Sequence, residues 1–218
     1  MVISELLENL YGIFKDRSLY GFSLIDEDLA KGTGCKCVLV TLLPYPDLHY
    51  KYNATEYYVL CMELSKEHSE KLDKIKLFLD NKRINYVRPP ASPKDDGTHL
   101  AEFSYKWAAI QAGLGFIGKN DVFVHYKYAQ RVRISCLLVD IDMPVFTGDM
   151  SSKCGECDLC VQACPYQFIT GHTWHIDIHR EELVDYKSCA TKSNHSGTEP
   201  RYLCQHCALA CKYPNNNS

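Results

Sequence analysis

What this 218-residue sequence lacks narrows the field first. It has no excess of basic charge: 24 Lys and Arg stand against 27 Asp and Glu, a net charge of −3. No global positive field therefore draws in nucleic acid. It has no long apolar run. Near the N-terminus Ile3, Leu6, Leu7, Leu10, Ile13 and Phe14 recur at helical spacing, interrupted by Glu5, Glu8 and Asn9. That is the pattern of an amphipathic surface helix, not of an export signal or a membrane span. With no targeting segment and no membrane partner in view, the cytoplasm is the expected location. What remains, 46% hydrophobic and 23% charged, is a globular balance for one good core and a small second unit.

Cysteine is the residue in excess. There are twelve, and eight of them lie between 154 and 211. In a chain without an export signal such density reads as metal ligation rather than disulfides. The stretch "CGECDLCVQACP" places Cys154, Cys157, Cys160 and Cys164 in the C-x2-C-x2-C-x3-C-P run of bacterial ferredoxins. In two-cluster ferredoxins the fourth cysteine of that run ligates the other cluster. A tight loop wraps the first three around one iron–sulfur cube, and Cys164 is expected to begin a helix and point away. A partner run stands downstream: Cys204, Cys207 and Cys211 in "CQHCALAC", with Cys189 left over upstream. The eight divide into two sets, Cys154, Cys157, Cys160 and Cys211, then Cys189, Cys204, Cys207 and Cys164. Each run lends its last thiol across. The competing reading is zinc, which also uses C-x2-C pairs, but zinc needs neither the triple nor the CP ending.

The other cysteines read as core. Cys37 opens the apolar "CVLVTLL" and Cys136 lies in "RVRISCLLVD", both strand-like, while Cys61 falls on a helix. Free cysteine behaves as a small hydrophobe. A Cys35/Cys37 ligand pair is the alternative. Five histidines, His172, His175, His179, His195 and His206, are weighed as ligands and read instead as loop, strand or solvent-facing residues.

The first 150 residues read as helix 3–15, strand 37–43, helix 54–81, a short strand in "INYVRPP", and a turn cluster in "ASPKDDG". A helix over 100–112 follows, then strands near 121–126 and 132–140. In the long helix Leu64, Leu72, Ile75, Phe78 and Leu79 share one face, opposite Glu63, Lys66, Glu67, Glu70 and Lys74. "DMPVFTGDMSSK" has linker composition, giving domains of 1–148 and 149–218. The fold class is α+β.

"AGLGFIGKND" brings Gly113, Gly115 and Gly118 together, with Lys119 and Asn120 behind them. The G-x-G-x-x-G spacing matches a dinucleotide fingerprint, but that fingerprint wants strand, glycines, then helix. Here a helix precedes and a strand follows, so a Rossmann site is rejected. Two readings remain: a helix cap and turn, or a backbone cradle for a large cofactor with Lys119 and Asn120 as polar contacts.

"KWAAIQAGLGFIGKN", then "RVRISCLLVDIDMP", then "CGECDLCVQACP" and the later cysteines together resemble the epoxyqueuosine reductase family, relatives of the reductive dehalogenases, over about residues 100–214. The resemblance implies a nitroreductase-like α/β sandwich followed by a double [4Fe-4S] ferredoxin-like domain. It implies base-off cobalamin held at the glycine stretch, and electrons passing through two [4Fe-4S] clusters to cobalt. A low-potential donor of ferredoxin or flavodoxin type is the expected partner. A small-molecule or corrinoid substrate is expected, with tRNA the least expected. The family's acid before the glycine stretch is met here by His99, near Asp95 and Asp96. Tyr105, His99 and Lys106 are the candidate proton donors. Two other classes stand beside this oxidoreductase. One is an electron-transfer or corrinoid-activating protein with no substrate of its own. The other is a nucleic-acid-binding module using Lys119, Lys127, Arg131 and Arg133.

Overall fold

The computed structural model describes residues 2–46, 54–90, 101–146, 148–193 and 204–214. It is a mixed α+β chain with antiparallel strand pairing, and the cysteine-rich region is built from short helices and turns. The expected turn cluster at 91–97, with His99, lies outside the described residues. Two compact units divide the chain, and they interleave where the sequence reading runs consecutively. The first comprises Met1–Leu43, Ser65–Leu114 and Arg133–Asp149; the second comprises Pro44–Leu64, Gly115–Val132 and Met150–Ser218.

The first unit is organised by a four-stranded sheet. Its strands are β1 (Tyr20–Ser23), β2 (Cys37–Pro44), β3 (Tyr86–Val87) and β6 (Val132–Val139), in the order β1-β2-β6-β3. β1 pairs antiparallel with β2, Tyr20 opposite Thr41, and β3 pairs antiparallel with β6, Tyr86 opposite Val139. Continuous burial of Cys37 through Leu43 explains the unbroken apolar run of β2: a strand covered on both faces cannot alternate. Helix α1 (Val2–Phe14) buries Leu6, Leu10 and Phe14, one face at i, i+4 and i+8. Helix α3 (Ala54–Asn81) has the expected bounds and buries Leu64, Leu72, Ile75 and Leu79. Phe78 is only half-buried, and His68 joins the buried face unannounced. The His68 ring lies 2.9 Å from the Thr41 hydroxyl. Helix α2 (Glu27–Thr33) and β1 fall in a stretch where no element is read from the sequence. Helix α4 (Tyr105–Gln111) is shorter than the expected 100–112 and is capped by the Ser104 hydroxyl, which accepts from the Trp107 N–H at 3.2 Å.

Cys35, Cys37, Cys61 and Cys136 are buried. Burial pushes the Cys37 thiol up to about 12, with Cys35 and Asp142 adding to the rise, so it stays a protonated core residue.

The second unit contains the hairpin β4 (Gly115–Ile117) and β5 (Phe123–His125), with Phe116 opposite Val124. Helices α5 (Leu159–Ala163), α6 (Arg180–Leu183), α7 (Tyr186–Ser193) and α8 (His206–Leu209) follow, and α5 packs on α8. "HTWHIDIH" is a loop with one turn rather than a strand. Among the described residues no helix is long and apolar enough to cross a membrane.

Candidate iron–sulfur centres

Cys154 and Cys157 sit in a turn closed by the Cys157 N–H donating to the Cys154 carbonyl at 3.1 Å. Cys160 lies in the first turn of α5 and is buried. Cys164 was expected to begin a helix; instead α5 ends before it and Cys164 is its C-cap, in extended conformation. The correction keeps the geometric consequence, because a residue leaving the helix is free to turn its side chain from the loop behind it. A backbone donor meets its sulfur there, the Phe168 N–H at 3.4 Å. Cys189 is on α7, Cys207 on α8, and Cys204 and Cys211 flank α8.

The thiols sense one another in two groups. Burial, with Cys154, Cys207 and Cys211 adding to it, pushes Cys160 up to about 12 against a lowering backbone bond from Val161. Cys211 is raised by burial and by Cys154, Cys157 and Cys207, and a backbone bond from Tyr213 lowers it. Cys207 is raised by burial and by Cys204, Cys189 and Cys164. Cys154 and Cys157 thus bear on Cys211, and Cys164, Cys189 and Cys204 on Cys207, while Cys207 also bears on Cys160 and Cys211. The second set lines a cavity of about 360 Å³. Among the described residues no three His, Cys, Asp or Glu groups converge as the ligands of a single ion. Four thiols around a cavity, with backbone N–H groups aimed at sulfur, fit an iron–sulfur cube, whose properties are set by hydrogen bonds to sulfur and by burial.

The glycine stretch meets a different fate from a cradle. Gly113 is the left-handed residue after α4, at φ +71°, and a β-carbon there would sit 2.6 Å from the Phe146 ring. Gly115 lies in β4, where a β-carbon would run into the Val124 carbonyl and reach within 2.7 Å of the Phe123 ring. Beside Gly118 stand Asn120 and Gln130, at 3.0 and 3.1 Å. Each glycine makes room for the protein itself. Gly113 follows α4 as a helix cap does, while Gly115 lies in β4 and, like Gly118, is packed against Val124, so the three do not form an open cradle.

Lys119 and Asn120 turn to the cysteine loops instead. Lys119 is 7% exposed and its Nζ bonds the Asp158 carboxylate at 2.7 Å. Burial alone would lower the Lys119 ammonium, but its bond to Asp158, with the charges of Asp158, Cys154 and Glu156, holds it above its ordinary value. Asp158 stands at the N-cap of α5 yet does not cap it. Asn120 pairs reciprocally with Gln130, both bonds 2.8 Å, and its side chain also hydrogen-bonds the Cys207 thiol, lowering it. Lys119 is thus committed to Asp158. Next to it Asp121 accepts from Arg180 Nε at 2.6 Å, and the Arg180 guanidinium lies 4.3 Å over the Tyr186 ring. Asp158, Gln130, Asp121 and Arg180 were not anticipated: partners 39 and 59 residues apart leave no local signal.

The candidate proton donors lie apart from these centres in sequence and are differently committed. The Tyr105 hydroxyl donates to the Pro89 carbonyl at 2.7 Å. Burial raises its phenol, Cys136 adds to this, and Arg88 works against it. Lys106 is half-buried, and among the loop histidines His172 Nδ1 lies 3.0 Å from the Glu182 carbonyl. His195 is outside the described residues.

Fold and thiol geometry together describe an α+β iron–sulfur protein. Residues 150–170 match the family model of the 4Fe-4S binding domain. The chain is 38% identical over 66 residues to the epoxyqueuosine reductase of Pseudomonas aeruginosa, spanning 30% of this chain and 18% of that protein. It is 28% identical over 117 residues to that of Vibrio cholerae, 48% of this chain and 29% of the relative. The chain thus matches less than a third of the length of these relatives. In fold it resembles epoxyqueuosine reductase from Streptococcus thermophilus, with TM-score 0.65 at 15% identity over 97% of this chain and 65% of that one. It also resembles a reductive dehalogenase studied for B12-dependent dehalogenation, with TM-score 0.57 at 14% identity over 84% and 26%. The chain is epoxyqueuosine reductase-like in sequence and fold.

Proposed function

We propose that this chain is an iron–sulfur oxidoreductase that moves single electrons through two [4Fe-4S] clusters in a double-cluster, ferredoxin-like arrangement. The observation that supports it best is that Cys164, from the first cysteine run, lines one cavity with Cys189, Cys204 and Cys207. Bound clusters supply one-electron transfer over a wide range of potential. The chain's own part is to hold the thiolates, shield them, and aim Phe168, Val161 and Tyr213 N–H groups at sulfur. In this reading the sheet-bearing part is the nitroreductase-like sandwich of the resemblance, the location is cytoplasmic, and a low-potential ferredoxin or flavodoxin feeds electrons in.

Cobalamin is the acceptor the likeness brings, and in a protein that holds it, it supplies a strongly reducing cobalt centre. The space beside Gly113, Gly115 and Gly118 is taken by Phe146, Phe123 and Val124. The same closure favours a second reading, an electron-transfer or corrinoid-activating protein without its own substrate. Anaerobic reconstitution with iron and sulfide, followed by added cobalamin, tests both. About eight irons per chain supports the two-cluster reading, and zinc alone or about four irons rejects it. A base-off corrin spectrum on binding supports the reductase; an unperturbed corrin spectrum supports the carrier.

A further inference from the structure

We propose that the Lys119–Asn120 turn sets the potentials of the two cysteine-held centres separately, Lys119 acting on the one that contains Cys154 and Asn120 on the one that contains Cys207. The inference rests on the two-cluster reading. Its geometry is independent of the cysteine spacing. The β4–β5 hairpin carries the two residues side by side, and their side chains go to different loops. Lys119 Nζ meets Asp158, which lies between Cys157 and Cys160, at 2.7 Å. Asn120 lines one cavity with Cys164, Cys189, Cys204 and Cys207.

Asn120 is held for this purpose. Its Nδ2 donates to Gln130 Oε1 and its Oδ1 accepts from Gln130 Nε2, both at 2.8 Å, and both residues are buried. That pair fixes the amide plane and assigns one Nδ2 proton, leaving the second for sulfur. An N–H donated to a thiolate favours the more negative, reduced state of whatever the thiolate holds, which raises the potential. Lys119 does the same by charge. Its ammonium is buried at 7% exposure, while Asp158 is 48% exposed and solvated. The cation is therefore the less screened member of the pair. Removing it also leaves the carboxylate uncompensated beside the Cys157–Cys160 loop.

The two residues should dissociate experimentally. In the reconstituted full chain, redox titration followed by electron paramagnetic resonance reads each centre, and Cys189→Ser identifies which signal belongs to the Cys207 set. Lys119→Met is expected to make the Cys154 centre at least tenfold harder to reduce, 59 mV for a one-electron couple, and to leave the other unmoved. Adding Asp158→Asn should bring it back towards the parent value, which a merely structural ion pair would not do. Asn120→Leu is expected to shift only the Cys207 centre, in the same direction. If Asn120→Leu loses iron, Asn120→Asp keeps the shape and the acceptor but lacks the N–H, and the same shift is expected. Both potentials unmoved in chains that retain about eight irons, one centre responding to both residues, or iron lost from both Asn120 variants would each overturn the proposal. A parent chain that never takes up about eight irons fails at the two-cluster reading instead.

Discussion

Gly115 is where a cofactor motif and a folding requirement part company. The Val124 carbonyl and the Phe123 ring occupy the place of its missing side chain. Gly115→Ala should therefore destabilise the hairpin by about 1–3 kcal/mol, the usual cost of overpacking, equally with and without added cobalamin. Thermal unfolding in both conditions checks this; a loss seen only with the corrin present would restore the cradle. His68 makes a second residue-scale prediction. Burial holds its imidazole down to about 3, with Arg133, Arg88 and Lys71 acting the same way. The unfolded ring titrates near 6.5. Between those values the unfolded state binds the extra proton, so stability falls as pH drops from about 6.5 towards about 3. The loss approaches about 1.4 kcal/mol per pH unit in the middle of that window. Urea unfolding followed by Trp107 emission should show this slope in the parent and a shallower one in His68→Gln.

Among the elements, α5 carries the crossover. Its first turn holds Cys160 and its C-cap is Cys164, so one short helix serves two sets of thiols. Cys164→Ser should damage the centre of Cys189, Cys204 and Cys207 and spare the other. Cys211→Ser should do the reverse, and so should truncation after Ala210. Iron content and paramagnetic spectra of the three variants decide it; truncation with both spectra intact would refute the assignment. The elements also mark how far the sequence could be read. α3 and β2 were legible because their periodicities are long and clean, Leu72, Ile75 and Leu79 on one, an unbroken apolar run on the other. β1 and α2 were not, since four and seven residues are too few for a period to declare itself. The 4Fe-4S binding run was legible because ligand spacing is a local code. Lys119–Asp158 and Asn120–Cys207 were not, because side chains that meet only after folding share no window. "GLGFIGKN" misled for a related reason: glycines needed against protein and glycines needed against a ligand look alike.

At the scale of the whole chain, the two units rest on different kinds of stabilisation. The first has a sheet whose strands β2 and β6 bury Val38, Leu39, Val40, Leu42, Leu137, Leu138 and Val139, a core that stands on apolar burial. The cysteine-bearing helices of the second have four, five or eight residues, too short to hold themselves. Their buried thiols make matters worse without metal, since Cys160, Cys207 and Cys211 are all pushed towards the protonated form that iron cannot use. Metal binding must deprotonate them, and the free energy it releases becomes folding free energy. Removal of iron with a chelator under anaerobic conditions should therefore act unevenly. Amide hydrogen exchange along α5, α7 and α8 should accelerate by orders of magnitude, while β2, β6 and the Ser65–Asn81 part of α3 keep their protection. The same treatment should lower affinity for iron as pH falls, because protons compete for the thiolates. Equal loss of protection in both units would mean that iron stabilises one cooperative whole rather than the cysteine region alone. Full retention in both would mean that the short helices are stable on packing alone, and that the eight thiols were placed without iron.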